Sequence, residues 1–111
     1  MSELLAKQKK FAIAIADLIM YADAVGLQVT FGDAYRDPRV HGEIGTKKAY
    51  GSANSCHKLR LAVDFNIIKD GKIAPIEDYK KLHDYWSKHL GGSKMIEADS
   101  NHFSFEHNGF R

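Results

Sequence analysis

Apolar residues recur at helical spacing through the first quarter of the chain, where Leu4, Phe11, Ile15, Leu18, Ala22 and Val25 share one face. Ser2 is placed to cap that helix and Gly26 to stop it, which predicts a helix from about residue 3 to 25. The period then changes. Leu27-Gln28-Val29-Thr30-Phe31 alternates and is rich in strand formers, so a first strand is expected, leading into Gly32-Asp33-Ala34-Tyr35-Arg36. From Asp37 to Ser55 no period holds. One Pro, three Gly and several small polar residues predict a loop there, and a loop of that length in a short chain is usually functional or mobile.

Leu61 to Ile68 reads as a central strand, with Leu61, Val63, Phe65 and Ile67 toward one layer and Ala62, Asp64 and Asn66 toward the other. Asp70-Gly71 is a strong hairpin signal, with the chain returning through Lys72-Ile73-Ala74. Pro75 opens a second helix over about Ile76 to His89, closed by Gly91-Gly92. The last strand runs from His102 to Glu106, with Phe103 and Phe105 inward and His102, Ser104 and Glu106 on the opposite face. The order helix, strand, loop, two strands, helix, strand predicts a small α+β domain with an antiparallel sheet.

The 111 residues suit one domain with a modest core, and the hydrophobic and charged fractions, 44% and 27%, are those of an ordinary globular protein. Sixteen basic and fourteen acidic residues leave a formal charge of only +2, which gives no ground for expecting nucleic acid as a partner. Cys56 is the only cysteine, so no internal disulfide can form. Lys7, Lys9 and Lys10 ahead of the run from Phe11 to Ala16 resemble a signal peptide in outline. Asp17 and the helical period argue instead for a folded amphipathic helix, and no stretch is long enough to span a membrane.

Candidate chemistry lies in two pieces. His57 and Asp64 stand in the stretch from Ser55 to Asp64, and Asp99 and His102 stand in Asp99-Ser100-Asn101-His102. Two imidazoles and a carboxylate form the usual protein ligand set of a zinc site with an open position, and a further carboxylate could act as a base. Other readings of the same residues stay open. Asp64, in an otherwise apolar strand, needs a partner, and that partner could be a Lys or Arg. Asp99 could be a turn residue. His57 precedes Asp64 by seven positions, so a straight strand would point the two apart, and a turn or bulge near Lys58-Leu59-Arg60 must intervene if they share an ion. Cys56 would then face away from His57 and pack. His41, His83, His89 and His107 are left over; His83 and His89, on the second helix, are expected at the surface or an interface.

Ser55-x-His57 followed by Ala62-x-Asp64, and Asp99-x-x-His102 leading into an aromatic strand, resemble the zinc D-Ala-D-Ala carboxypeptidase / L-alanyl-D-glutamate peptidase family. Asp33-Ala34-Tyr35-Arg36 before the loop, and Trp86 followed by Gly91-Gly92, are similar too, so the resemblance extends over residues 27–106. It implies that His57, Asp64 and His102 bind Zn²⁺, that Asp99 is the general base, that Arg36 holds a substrate carboxylate or carbonyl oxygen, and that Ser55 makes a supporting hydrogen bond. It also implies a fold like that of D-Ala-D-Ala peptidases and hedgehog domains, with the sheet packed against the first and second helices. The chain departs from the family in two places: Arg60 stands where a Gly is common, and Asp99 where many members have Glu.

The expectation is therefore a zinc metallopeptidase acting on peptidoglycan stem peptides, most simply an L-alanyl-D-glutamate endopeptidase serving as a phage endolysin. It would be made in the cytoplasm and act on the cell wall, as a monomer, without nucleic-acid partner or membrane insertion. A D-Ala-D-Ala carboxypeptidase and a non-catalytic, zinc-stabilised module that binds wall peptides are the alternatives.

Overall fold

The structure, a computed structural model, describes residues 2–49 and 51–111. The first helix, α1 (Glu3–Ala24), begins where Ser2 Oγ accepts from the Leu5 amide at 3.0 Å. It ends one residue before the predicted limit, because the Val25 amide turns back to the Tyr21 and Asp23 carbonyls and Gly26 takes φ +81°. Its buried residues are Phe11, Ala14, Leu18 and Ala22, with Leu4, Ile15 and Val25 partly buried beside them.

The sheet is organised around one strand, β2 (Ala62–Lys69). Strand β1 (Gln28–Phe31) lies antiparallel along one edge of β2, in register from Gln28↔Ile68 to Phe31↔Phe65. The opposite edge is shared by β3 (Lys72–Ile73), which pairs with the end of β2, and β4 (His102–Ser104), which pairs with its beginning. Asp70 and Gly71 both have positive φ, 53° and 75°, as a two-residue hairpin turn demands. All four strands are antiparallel, and with α1, a short α2 (Pro38–His41) and α3 (Ile76–His89) they make a small α+β domain.

Alternation along β2 holds as the pattern predicts. Leu61, Val63, Phe65 and Ile67 are buried in the core, while Asp64 and Asn66 are only half-buried on the other face. Phe103, the cross-strand partner of Val63, shares this apolar face, and Phe11, Leu18, Leu82 and Trp86 of the helices pack in the same core. Phe11 meets Trp86 edge-on at 5.8 Å and Phe105 at 5.3 Å, the geometry that aromatic quadrupoles favour. Trp86 Nε1 donates to the Ser104 carbonyl at 3.0 Å, fixing α3 to β4. Gly92 lies against the same indole, where a Cβ would come within 2.0 Å of Nε1.

Some strand boundaries, the long loop and one side chain differ from expectation. Leu27 is a buried residue preceding β1, its amide bonded to the Ala22 carbonyl. β4 ends at Ser104; the Phe105 amide still reaches the Leu61 carbonyl, and the chain then leaves the sheet. The loop after residue 36 contains α2, capped by Asp37 accepting from the Arg39 amide, and a 3-10 turn, Cys56–Leu59. His83, expected at the surface, is buried, stacked on Phe103 at 4.0 Å with Nε2 donating to the Ser100 carbonyl at 2.7 Å. Tyr79, Leu82, His83 and Trp86 make an i, i+3, i+4, i+7 stripe, and the imidazole fills an aromatic position in it. No helix among the described residues is long and apolar enough to cross a membrane.

The packing of Gly92 gives a direct check on the α3–β4 junction. Gly92→Ala must displace the indole and lose its bond to Ser104, so urea unfolding should show a loss of about 2–4 kcal/mol. Gly91→Ala, where no atom lies within 4 Å but φ is +74°, should cost only about 1 kcal/mol.

Candidate metal centre

Three separate elements place the two histidines and the aspartate. Asp64 lies in β2, and His102 is its direct partner across the β2–β4 ladder, so their side chains emerge on one face. His57 comes from the 3-10 turn, which begins at Ser55, whose Oγ accepts from the His57 amide at 3.2 Å. The turn closes at Arg60, which adopts the left-handed conformation with φ 56° and ψ 35° and returns its amide to the Cys56 carbonyl. The reversal that His57 needs to reach Asp64 is thus made without glycine. The Arg60 guanidinium lies 4.0 Å over the Tyr35 ring, a cation–π contact that offsets part of the strain.

His57 Nε2 is 3.0 Å from Asp64 Oδ1, His102 Nδ1 is 3.2 Å from His57 Nε2, and His102 Nδ1 is 3.5 Å from Asp64 Oδ1. Tetrahedral zinc with bonds of about 2.0–2.1 Å separates its ligand atoms by about 3.3–3.4 Å, so the triangle has the size of one face of such a site. The protonation pattern agrees. His57 Nδ1 is 2.6 Å from the Ala34 carbonyl, which can only accept, so Nδ1 carries the proton and Nε2 presents its lone pair to the group. His102 turns Nδ1 toward the group, while its Nε2 is buried without a hydrogen-bond partner among the described residues. Burial would push the Asp64 carboxyl up, but when the imidazoles are protonated, hydrogen bonds from His102 and His57 and their charge outweigh it and hold the carboxyl below the usual range. A carboxylate and two imidazole lone pairs at this spacing need a proton or a cation among them. This buried group of His57, Asp64 and His102 can hold a metal ion, and its donor set fits zinc.

Cys56 is fully buried, with Sγ 3.4 Å from the Phe105 carbonyl, and burial pushes its thiol up to about 11. It packs, as its place beside His57 predicts. The remaining histidines also lie outside the group: His41 is buried in α2, His89 is exposed on α3, and His107 Nδ1 is 3.1 Å from Lys7 Nζ.

Through His102 the group borders a cleft of about 470 Å³ lined also by Asp99, Arg36, Ser55, Ile96 and residues of the long loop and the 109–111 segment. Asp99 ends a tight turn, its amide bonded to the Ile96 carbonyl, and its half-exposed carboxylate is 3.8 Å from His102 Nδ1. It is therefore both a turn residue and a neighbour of the triad. Arg36 is largely buried, with Nε on Asp33 Oδ2 and Nη1 on Ser55 Oγ, each at 3.2 Å, and its amide on the His57 carbonyl. Ser55 thus caps the His57 turn and holds Arg36 with the same oxygen. Gly51 lies flat on the guanidinium, since a Cβ there would approach Nη1 to 2.4 Å.

All six residues singled out from the sequence, His57, Asp64, His102, Asp99, Arg36 and Ser55, converge on this place. Sequence reasoning did not reach the Ala34 carbonyl, the glycine on Arg36 or the 109–111 wall, which act through main chain or carry no motif. No protein-family model, curated protein or solved structure matches the chain.

Zinc titrated into chelator-treated protein should bind at one ion per chain. His57→Ala or His102→Ala should each weaken it by about a hundredfold or more in competition with a chromophoric chelator. Arg60→Gly exchanges backbone strain against the Tyr35 contact and should change unfolding free energy by less than about 1 kcal/mol, whereas Arg60→Val, β-branched at positive φ, should cost about 2 kcal/mol.

Proposed function

We propose that the protein is a zinc-dependent peptidase that cuts peptidoglycan stem peptides, with the L-alanyl-D-glutamate bond as its target. What carries this reading is a three-donor group whose His102 lines a cleft that also holds a carboxylate and an anchored arginine. The resemblance in the order and spacing of Arg36, Ser55, His57, Asp64, Asp99 and His102 supplies the substrate class. The same resemblance is the ground for proposing that the α+β domain is a variant of the D-Ala-D-Ala peptidase and hedgehog fold.

His57, Asp64 and His102 would hold the ion. When bound, zinc supplies a Lewis acid for a peptide carbonyl and makes water acidic near neutral pH. Asp99 is the carboxylate positioned to take a proton from the attacking water and return it to the departing amine. Its shorter arm, relative to glutamate, is met by the turn that sets it beside His102. Arg36, kept in one rotamer by Asp33 and Ser55, presents a charged planar donor to a substrate carboxylate or carbonyl. Stem peptides have such carboxylates next to the bond in question. A phage endolysin, made in the cytoplasm and acting on the wall, is the setting that this activity fits.

Digestion of purified peptidoglycan followed by mass spectrometry tests the proposal. Release of stem peptides with a new D-glutamyl amino terminus, abolished by a chelator and restored by zinc, is the expected result. Loss of a terminal D-alanine alone would transfer the assignment to carboxypeptidase chemistry, and unchanged fragments would leave a binding role. Asp99→Ala should keep full zinc stoichiometry while cleavage falls by about a thousandfold or more; activity close to wild type would remove Asp99 as the base.

A further inference from the structure

Lys58 follows His57 in the 3-10 turn and is buried, at 6% exposure, although lysine rarely is. Its ammonium donates to three main-chain carbonyls of the long loop, those of Glu43 at 3.4 Å, Thr46, and Ala53 at 3.1 Å. Three donors meet three acceptors, so the group is satisfied as a cation. Among the described residues no carboxylate lies within ion-pair distance, and the charge is balanced by carbonyl dipoles alone, as in a site for a bound monovalent ion.

Main-chain bonds share the work of holding the loop. Residues 43–48 are all exposed, and among the described residues main-chain bonds such as Gly45 to Ala53 and Lys48 to His41 close the loop beside Lys58. Yet this loop brings Gly51 onto Arg36 and Ser52 and Asn54 to the cleft. A run of exposed residues such as 43–48 opens easily unless something polar ties it down.

We infer that Lys58 is a positioning residue, a built-in cation that gathers the 43–53 loop into the substrate-facing wall of the cleft and ties that wall to the turn carrying His57. The inference rests on the proposed peptidase activity only for its kinetic readout. Without the ammonium the metal group keeps its three donors, which come from β2, β4 and the turn itself, while the wall loses its anchor.

Hydrogen exchange and kinetics on zinc-loaded protein test this. In Lys58→Met, amides of residues 43–53 should exchange at least about tenfold faster, with β2 amides and zinc stoichiometry unchanged. KM for a stem peptide should rise about tenfold with kcat within about threefold. In Lys58→Ala, added methylammonium should restore loop protection and tetramethylammonium, which has no N–H, should not. Unchanged loop protection in both variants overturns the inference. Should both variants unfold, so that β2 amides also lose protection, competitive acetylation of the wild-type protein decides. Lys58 should then react at least about tenfold more slowly than the exposed Lys47, and equal rates overturn the inference. If the wild-type protein cuts no stem peptide, the peptidase reading fails while exchange and labelling still decide the role of Lys58.

Discussion

A carboxylate in the middle of an apolar strand must be met by donors or a cation, and that requirement at Asp64 organises the polar half of this molecule. The β2–β4 register supplies His102 directly opposite. His57 has to be brought back against the direction of the chain, which takes a 3-10 turn ended by a residue in the left-handed conformation. Ala34 then fixes the His57 proton on the far nitrogen, so that all three groups direct electron pairs at one point. The arrangement is costly without a positive charge among the three and favourable with one. An ion held at this spot would couple its binding to folding.

The other half of the molecule makes that arrangement tolerable. Since β2 alternates from Val63 onward, the face that carries Asp64 adds only Ala62 to the buried core, and cohesion falls to the opposite face. There Phe65 and Phe103 meet the Trp86–Phe11 cluster, and the indole N–H reaches the β4 backbone two residues beyond His102. The position of a metal-directed histidine is in this way set by core packing on the far side of its own strand.

Helices and the central strand were legible in the sequence because their signals are local. Ser2, Gly26, Pro75 and the Asp70-Gly71 turn all act within a few residues of themselves, and the elements they bound fall within one or two residues of expectation. Chemistry was legible where it broke a pattern, as Asp64 does in its strand. The turn at Arg60 was legible as a necessity and not as a conformation, because nothing in an arginine announces positive φ. His83 was misread as exposed because polarity was weighed above its place in a helical stripe. What stayed hidden acts through main-chain atoms: the Ala34 carbonyl, the glycine surface under Arg36, and the carbonyl cage around Lys58. Side-chain identity carries no record of these.

The short turn before Arg60 sends consecutive residues in different directions: Ser55 to Arg36, Cys56 to the Phe105 carbonyl, His57 to Asp64, and Lys58 to the loop. At about three residues per turn, each step rotates the outgoing side chain by about 120°. A one-residue shift that turned the thiol toward Asp64 would therefore turn the imidazole toward the loop, and the opposite shift would turn the imidazole toward the core, so either exchanges every partner at once. The long loop ahead of it can lengthen at small entropic expense, but between Ser55 and Arg60 the chain has no freedom of length.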